Sequence, residues 1–248
     1  MKPAFAFFLI TLSCAALHSS GQEARSNAEL RFAPVFAGSP LILGGEEGGA
    51  ASSDGTRISL FRFYVSAVSL WQDGQEVWSE PQSCHLLDAS EPSSLLLPLS
   101  ATSGIHYNSV RFTLGIDSAT NAAGAGGGVL DATKGMYWAW HSGYINLKLE
   151  GTSPKCTTRK NAFQFHLGGF QNGALCAQEV VLPLSSDAVS YVGASGVAQS
   201  AEHTILVDVD AMLSQIDLAT RAMIMTPGEE AVKLSRTAAK MFRTATTP

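Results

Sequence analysis

Between Gly135 and Gly151 the chain reads GMYWAWHSGYINLKLEG, and Met136, Tyr137, Trp138, Trp140, His141 and Tyr144 fall within nine residues, a density no other window reaches. Imidazole ligates borderline metals and thioether soft ones, while indole and phenol rings stack, pack or are oxidised. Large aromatics also fill cores, so composition alone reads this window equally as packing. Taken as one strand from Met136 to Glu150, it places His141 on the face of Ile145, Leu147 and Leu149, and Trp138 and Trp140 on that of Ser142 and Tyr144.

The same parity places His106 with Val110, Phe112 and Leu114, and His203 with Ile205, Val207 and Val209. Both imidazoles begin apolar-faced strands, and strand ends can converge at one rim of a sandwich to hold a metal; each alone reads equally as a hydrogen-bonded histidine. His85 (CHLLD) and His166 (FQFHLGG) complete the set, and Met223 and Met225 form an MxM that suits Cu(I) or simple packing. Asp208 and Asp210 read as a helix cap or a hard-cation pair, and Asp117, Asn121 and Asp131 as turn chemistry or a calcium loop. GxSxG, P-loop, HExxH and a GxGxxG between strand and helix are absent, so hydrolase, kinase and dehydrogenase readings have no support.

Strand-like stretches at 29–36, 57–71, 82–87, 95–99, 109–116, 136–150, 163–167, 179–184 and 204–209, separated by turn-formers, must position these groups. Nine short strands predict an all-β fold, an antiparallel β-sandwich of two packed sheets, with short helices near the C-terminus. The helices are expected at Ala211 to Gln215 and at Glu229 to Arg243, the second opened by Pro227-Gly228. Its apolar positions Val232, Met241 and Phe242 are sparse, which predicts a surface helix. The Gly-Ala run from Ala122 to Gly128 is a loop, and no repeat or linker divides the chain.

The N-terminus MKPAFAFFLITLSCAALHSSG, with one Lys before an apolar stretch, reads as a cleaved secretory signal over residues 1–21, leaving a single domain over 22–248. A lipidated Cys14 is the rival, although Leu12 and Ser13 suit a lipobox poorly. No other stretch is long and apolar enough to span a bilayer, so no membrane insertion is expected after signal removal. The formal charge of −5 becomes −6 when residues 1–21, with one Lys and no acid, are lost, a sign that argues against nucleic acid and suits cations. Of Cys84, Cys156 and Cys176, the last two lie twenty positions apart and are expected to pair in an oxidising compartment.

The segments LRFAPVFAGSPL, ISLFRFYVSAVSLW, CHLLD, VRFTLGID, GMYWAWHSGYINLKLEG, FQFHLGG and ILVDVDAML, in this order, resemble the MbnP-like family of methanobactin-associated periplasmic copper-binding proteins. The MxWxWxSGY pattern, then LEG and HLGG, carries the resemblance. It implies a periplasmic β-sandwich, not an enzyme, that binds copper through histidines with the help of a tryptophan oxidised to kynurenine. It also implies a di-haem partner, MbnH, of the MauG type, for which this protein is a substrate. Trp138 takes the first W of MxWxW and Trp140 the second. The resemblance does not settle the ligands, for which His141, His166 and His106 stand ahead of His203 and His85. Two other classes remain open: a carbohydrate- or protein-binding module with Trp138, Trp140 and Tyr144 as a stacking platform, and a copper oxidase or peroxidase, which needs an open metal position.

Overall fold

Strict alternation builds most of the strands: Val110, Phe112 and Leu114 are buried between half-exposed neighbours, and His203, Ile205 and Val207 repeat the pattern. The computed structural model describes residues 25–44, 51–102, 105–140, 143–171, 173–184 and 202–245. The expected signal, its rival Cys14 and His141 lie outside them. In chain order come β1 (Arg25–Phe36), β2 (Ser39–Pro40), β3 (Arg57–Gln72), β4 (Gln75–Ser79), β5 (Cys84–Asp88), β6 (Leu96–Thr102) and β7 (Ser109–Leu114). Helix α1 (Ser118–Ala122) leads to β8 (Tyr137–Trp138), β9 (Gly143–Thr152), β10 (Ala162–Gly168), β11 (Gln178–Pro183) and β12 (Glu202–Asp208). The chain then runs through α2 (Val209–Leu213), β13 (Met223–Ile224), α3 (Glu229–Ala238) and β14 (Phe242–Thr244).

A smaller sheet runs β14-β12-β1, with β6 and β2 also on β1, and a larger one runs β11-β7-β3-β9-β10-β13, with β4 and β5 on β3 and β8 on β9. The sandwich is mainly antiparallel, as expected, but β1 with β12 and β10 with β13 are parallel. Both pairings join strands far apart in the chain, whose direction no hairpin dictates. Strand β3 organises the larger sheet. Its residues 57–63 pair with β9 and residues 65–71 with β7, while β5 and β4 follow along the other edge.

Phe32 from the smaller sheet and Phe63 and Phe112 from the larger meet between the layers, and Phe242 of β14 packs edge-on against all three at centroid distances of 6.3, 5.6 and 5.2 Å. This corrects the expected surface helix reaching Arg243. Helix α3 stops at Ala238, and its buried stripe is Ala231, Leu234, Ser235 and Ala238, at helical spacing, in which Leu234 is the one large apolar side chain among small ones. Phe242 then enters a strand against Val207 of β12. Phe242→Ala is expected to destabilise the domain by about 3–5 kcal/mol, read from urea unfolding; a change below about 0.5 kcal/mol would show that β14 is dispensable.

Candidate metal centre

The window 136–150 is not one strand. Tyr137 pairs with Tyr144 and Trp138 with Gly143, so β8 and β9 form a hairpin, and the facing inferred for an unbroken strand does not hold across it. Trp138 is only 7 % exposed, whereas Trp140 in the connection is 63 % exposed, and their ring centroids stand 5.7 Å apart. Tyr144 is fully buried. Trp138, Trp140 and Tyr144 therefore do not make a three-ring stacking platform.

The hairpin is held on the outer face of the larger sheet by the segment that precedes it. Asp117 caps α1 by accepting from the backbone N–H groups of Ala119 and Thr120. Asn121, buried at the end of that turn, accepts from Tyr144 N at 2.9 Å and donates to the carbonyls of Ile116 and Asp117. The Tyr144 hydroxyl donates to Leu130 O at 2.8 Å and accepts from Gly126 N at 2.9 Å, and the Tyr64 hydroxyl donates to Val129 O at 2.9 Å. Tyr64, Ile116, Met136, Trp138, Tyr144 and Ile145 thus form a second small core, separate from the one between the sheets. Burial raises the pKa of both phenols and keeps them neutral donors.

Beside this core lies His166. A Cβ placed on Gly168 would meet the Trp138 ring at 2.8 Å and Tyr144 O at 2.4 Å, so the glycine lets the indole edge rest on β10. His166 stands two residues earlier on that strand, roughly 7 Å away along it, paired with Lys148 of β9. Its Nε2 lies 2.7 Å from Glu150 Oε1, which Lys148 Nζ also approaches at 3.7 Å. Burial lowers the His166 pKa and outweighs the hydrogen bond to Glu150. A neutral ring whose Nε2–H donates to a carboxylate keeps its Nδ1 lone pair, the arrangement in which a carboxylate orients a metal-binding histidine. Glu150 belongs to the LEG motif, and its role was missed because the strand reading considered only apolar faces.

The other candidates stand apart. His85 on β5 is paired through Nε2 with Glu80 Oε2 at 2.7 Å, three strands from β10 and so on the order of 15 Å away. His203 is buried as expected, its Nε2 2.8 Å from the Tyr107 hydroxyl, in the smaller sheet. His106 is exposed rather than facing the core, because it precedes β7 and the neighbouring Tyr107 takes the buried position. Among the described residues, no group of three or more His, Cys, Asp and Glu side chains is placed to hold a metal. The calcium reading finds its oxygens engaged separately: Asp117 caps α1, Asp131 caps the turn at Ala132–Lys134, and Asn121 serves the backbone. Asp208 likewise caps α2, accepting from Asp210 N.

Cys156 and Cys176 are not bridged, contrary to expectation. Cys156 lies in the turn before β10 and Cys176 just beyond its end, so seven residues of strand hold them on the order of 20 Å apart, against the ~7 Å Cα limit of a disulfide. The Cys176 thiol donates to Gly168 O at 3.2 Å. Cys84 is the third free thiol, and burial, with the charges of Asp117 and Glu80, pushes it up to about 11.

The MbnP family profile matches residues 25–226. Among solved structures, the chain is similar to MbnP from Methylosinus trichosporium, at 13% identity with a TM-score of 0.54 and 83% of each chain covered. No curated protein matches the chain.

Two outcomes test this geometry. Gly168→Ala should expel the Trp138 edge, red-shift tryptophan emission and cost about 1–3 kcal/mol; unchanged emission and stability would show that the ring does not rest there. His166 and His203 both have pKa values lowered by burial. Their unfolded forms therefore bind protons first as pH falls through about 6.5, so stability is greatest above that value and declines below it. In His203→Gln the decline in urea midpoint between about pH 7.5 and about pH 5.5 should be shallower; an equal slope would remove His203 as a contributor.

Proposed function

Because this chain belongs to the MbnP family, we propose that it is a periplasmic copper-binding protein whose centre combines His166, His141 and Trp138 after oxidation to kynurenine. One observation carries the assignment: of the described histidines, His166 alone shares a strand face with the contact point of Trp138 and retains a neutral, carboxylate-oriented ring. His141 enters from the sequence alone, three positions beyond Trp138. Cleavage of the indole C2–C3 bond by the di-haem partner with dioxygen or peroxide as the four-electron oxidant, with C2 lost as formate, would convert a poor ligand into an aryl amine and a ketone, and the amine would supply a nitrogen donor beside imidazole.

Exposure divides the two tryptophans by task. Trp138 is enclosed next to His166, as a ligand precursor must be, while Trp140 offers an exposed ring to an oxidising partner. A di-haem enzyme of the MauG type would dock over Trp140 and withdraw electrons through it, with Trp138 5.7 Å behind.

Coexpression with such a partner, followed by peptide mapping over residues 135–148 and metal analysis, tests the reading. Ring-opened Trp138 should co-purify with copper. Trp140→Phe should lower the modified fraction, and His166→Gln should lower bound copper while leaving modification intact. Full copper loading in both Trp138→Phe and His166→Gln would sink the assignment.

A further inference from the structure

The edge of the larger sheet next to His166 is formed by β13, and it brings two methionines to the same face. Gln164 pairs with Met223 and Phe165 with Ile224 in parallel register, anchored by Gln164 N donating to Ala222 O at 2.8 Å. Phe165 and Ile224 are buried on the inner face, so Gln164 and Met223 lie on the outer face that carries His166. The paired register ends at Phe165 and Ile224, and continued by one residue it would bring Met225, the residue after β13, to the level of His166. The chain stays close beyond that point, because a Cβ on Gly169 would meet Pro227 Cβ at 3.2 Å.

Met223 is 53 % exposed, although it is a large apolar side chain on a sheet edge. Met225 is half-buried, whereas the other three methionines of the domain, Met136, Met212 and Met241, are completely buried in the two cores. Packing therefore accounts for those three and leaves Met223 without a core role. Its position, two residues before Met225 and on the strand that pairs with that of His166, has a chemical reading: thioether sulfur is a soft donor that favours Cu(I) over Cu(II).

We infer that Met223 and Met225 stand with His166 as a thioether–imidazole site for a soft monovalent cation, Cu(I). This rests on the copper reading of the His166 face and adds to it a second class of ligand and an oxidation state. The methionines approach from β13, on the opposite edge of β10 from β9. The two methionines thus approach His166 from the edge of β10 opposite to β9, whose hairpin with β8 carries Trp138.

The test is a titration of the exported protein, labelled with 13C at the methionine methyls, using Ag(I) as a redox-inert probe and then Cu(I) under anaerobic conditions. Methyl shifts should be confined to Met223 and Met225, with Met136, Met212 and Met241 as internal references. Met225→Leu and Met223→Leu, close in volume to the originals, should each weaken Cu(I) binding by about tenfold or more and change Cu(II) binding by less than about threefold, as loss of a soft ligand requires. Copper binding with unmoved Met223 and Met225 methyls would overturn the thioether site and leave the copper function standing. Failure of protein with modified Trp138 to bind either copper ion would overturn both. The methyl readout uses the unaltered chain, so a misfolded variant does not decide the outcome.

Discussion

Two buried phenols hold the segment before β8 against the outer face of the larger sheet, and the geometry of the candidate centre depends on them. Tyr64 and Tyr144 pack edge to face at 5.8 Å and together satisfy the carbonyls of Val129 and Leu130. Without those hydroxyls, partly buried carbonyls would go unpaired at about 1–3 kcal/mol each. The loop carries few large apolar side chains of its own to offset such a loss. The hairpin that presents Trp138 is therefore fixed by hydrogen bonds to a preformed sheet, with Asn121 closing the contact at Tyr144 N.

The sheet provides that platform because β3 changes partners along one edge. At Tyr64, β9 gives way to β7, and the parting strands leave a seam beside which Gly115 admits Asn146: a Cβ on that glycine would lie 2.5 Å from the Asn146 side chain. Asn146 Oδ1 accepts from Ile116 N, so the end of β7 is tied to the beginning of β9. Close to the same place β9 bulges against β10 between Leu167 and Gly168. Seam and bulge together redirect the start of β9 upward into the hairpin, and this is why the aromatic window leaves the sheet where it does.

Most strands were legible because their alternation is strong and turn-formers bound them; β3, β7, β10, β11 and β12 lie within two residues of their expected limits. The hairpin at 139–142 was not. Its residues Ala139, Trp140, His141 and Ser142 include no Gly or Pro, and Tyr and Trp are strong strand formers on both sides, so local propensity reports an uninterrupted strand. The cysteine pairing failed for a related reason: twenty positions in sequence include a full strand, which spends the separation on length. Of the site, the motif residues Trp138 and His166 were visible, whereas Glu150, Gly168 and Asn121 act through tertiary contacts that no periodicity encodes.

The C-terminal segment extends this logic beyond the family match, which ends at residue 226. Its last element fills the gap between the sheets with Phe242, and α3 lies along the region of Cys176 and β10. Gly228, at φ 152, turns the chain from β13 into α3 in a conformation open to glycine and strained for other residues. Pro227 just before it packs at Gly169. The chain that leaves β13 is therefore clamped by a residue of the terminal segment, and the helix that follows is buried along the stripe of Ala231, Leu234, Ser235 and Ala238. A segment that contributes no candidate ligand of its own thus determines how closely β13 can lie beside His166. Core packing and candidate site share one structural cause, because the same C-terminal segment that completes the sandwich also holds its edge strand in place.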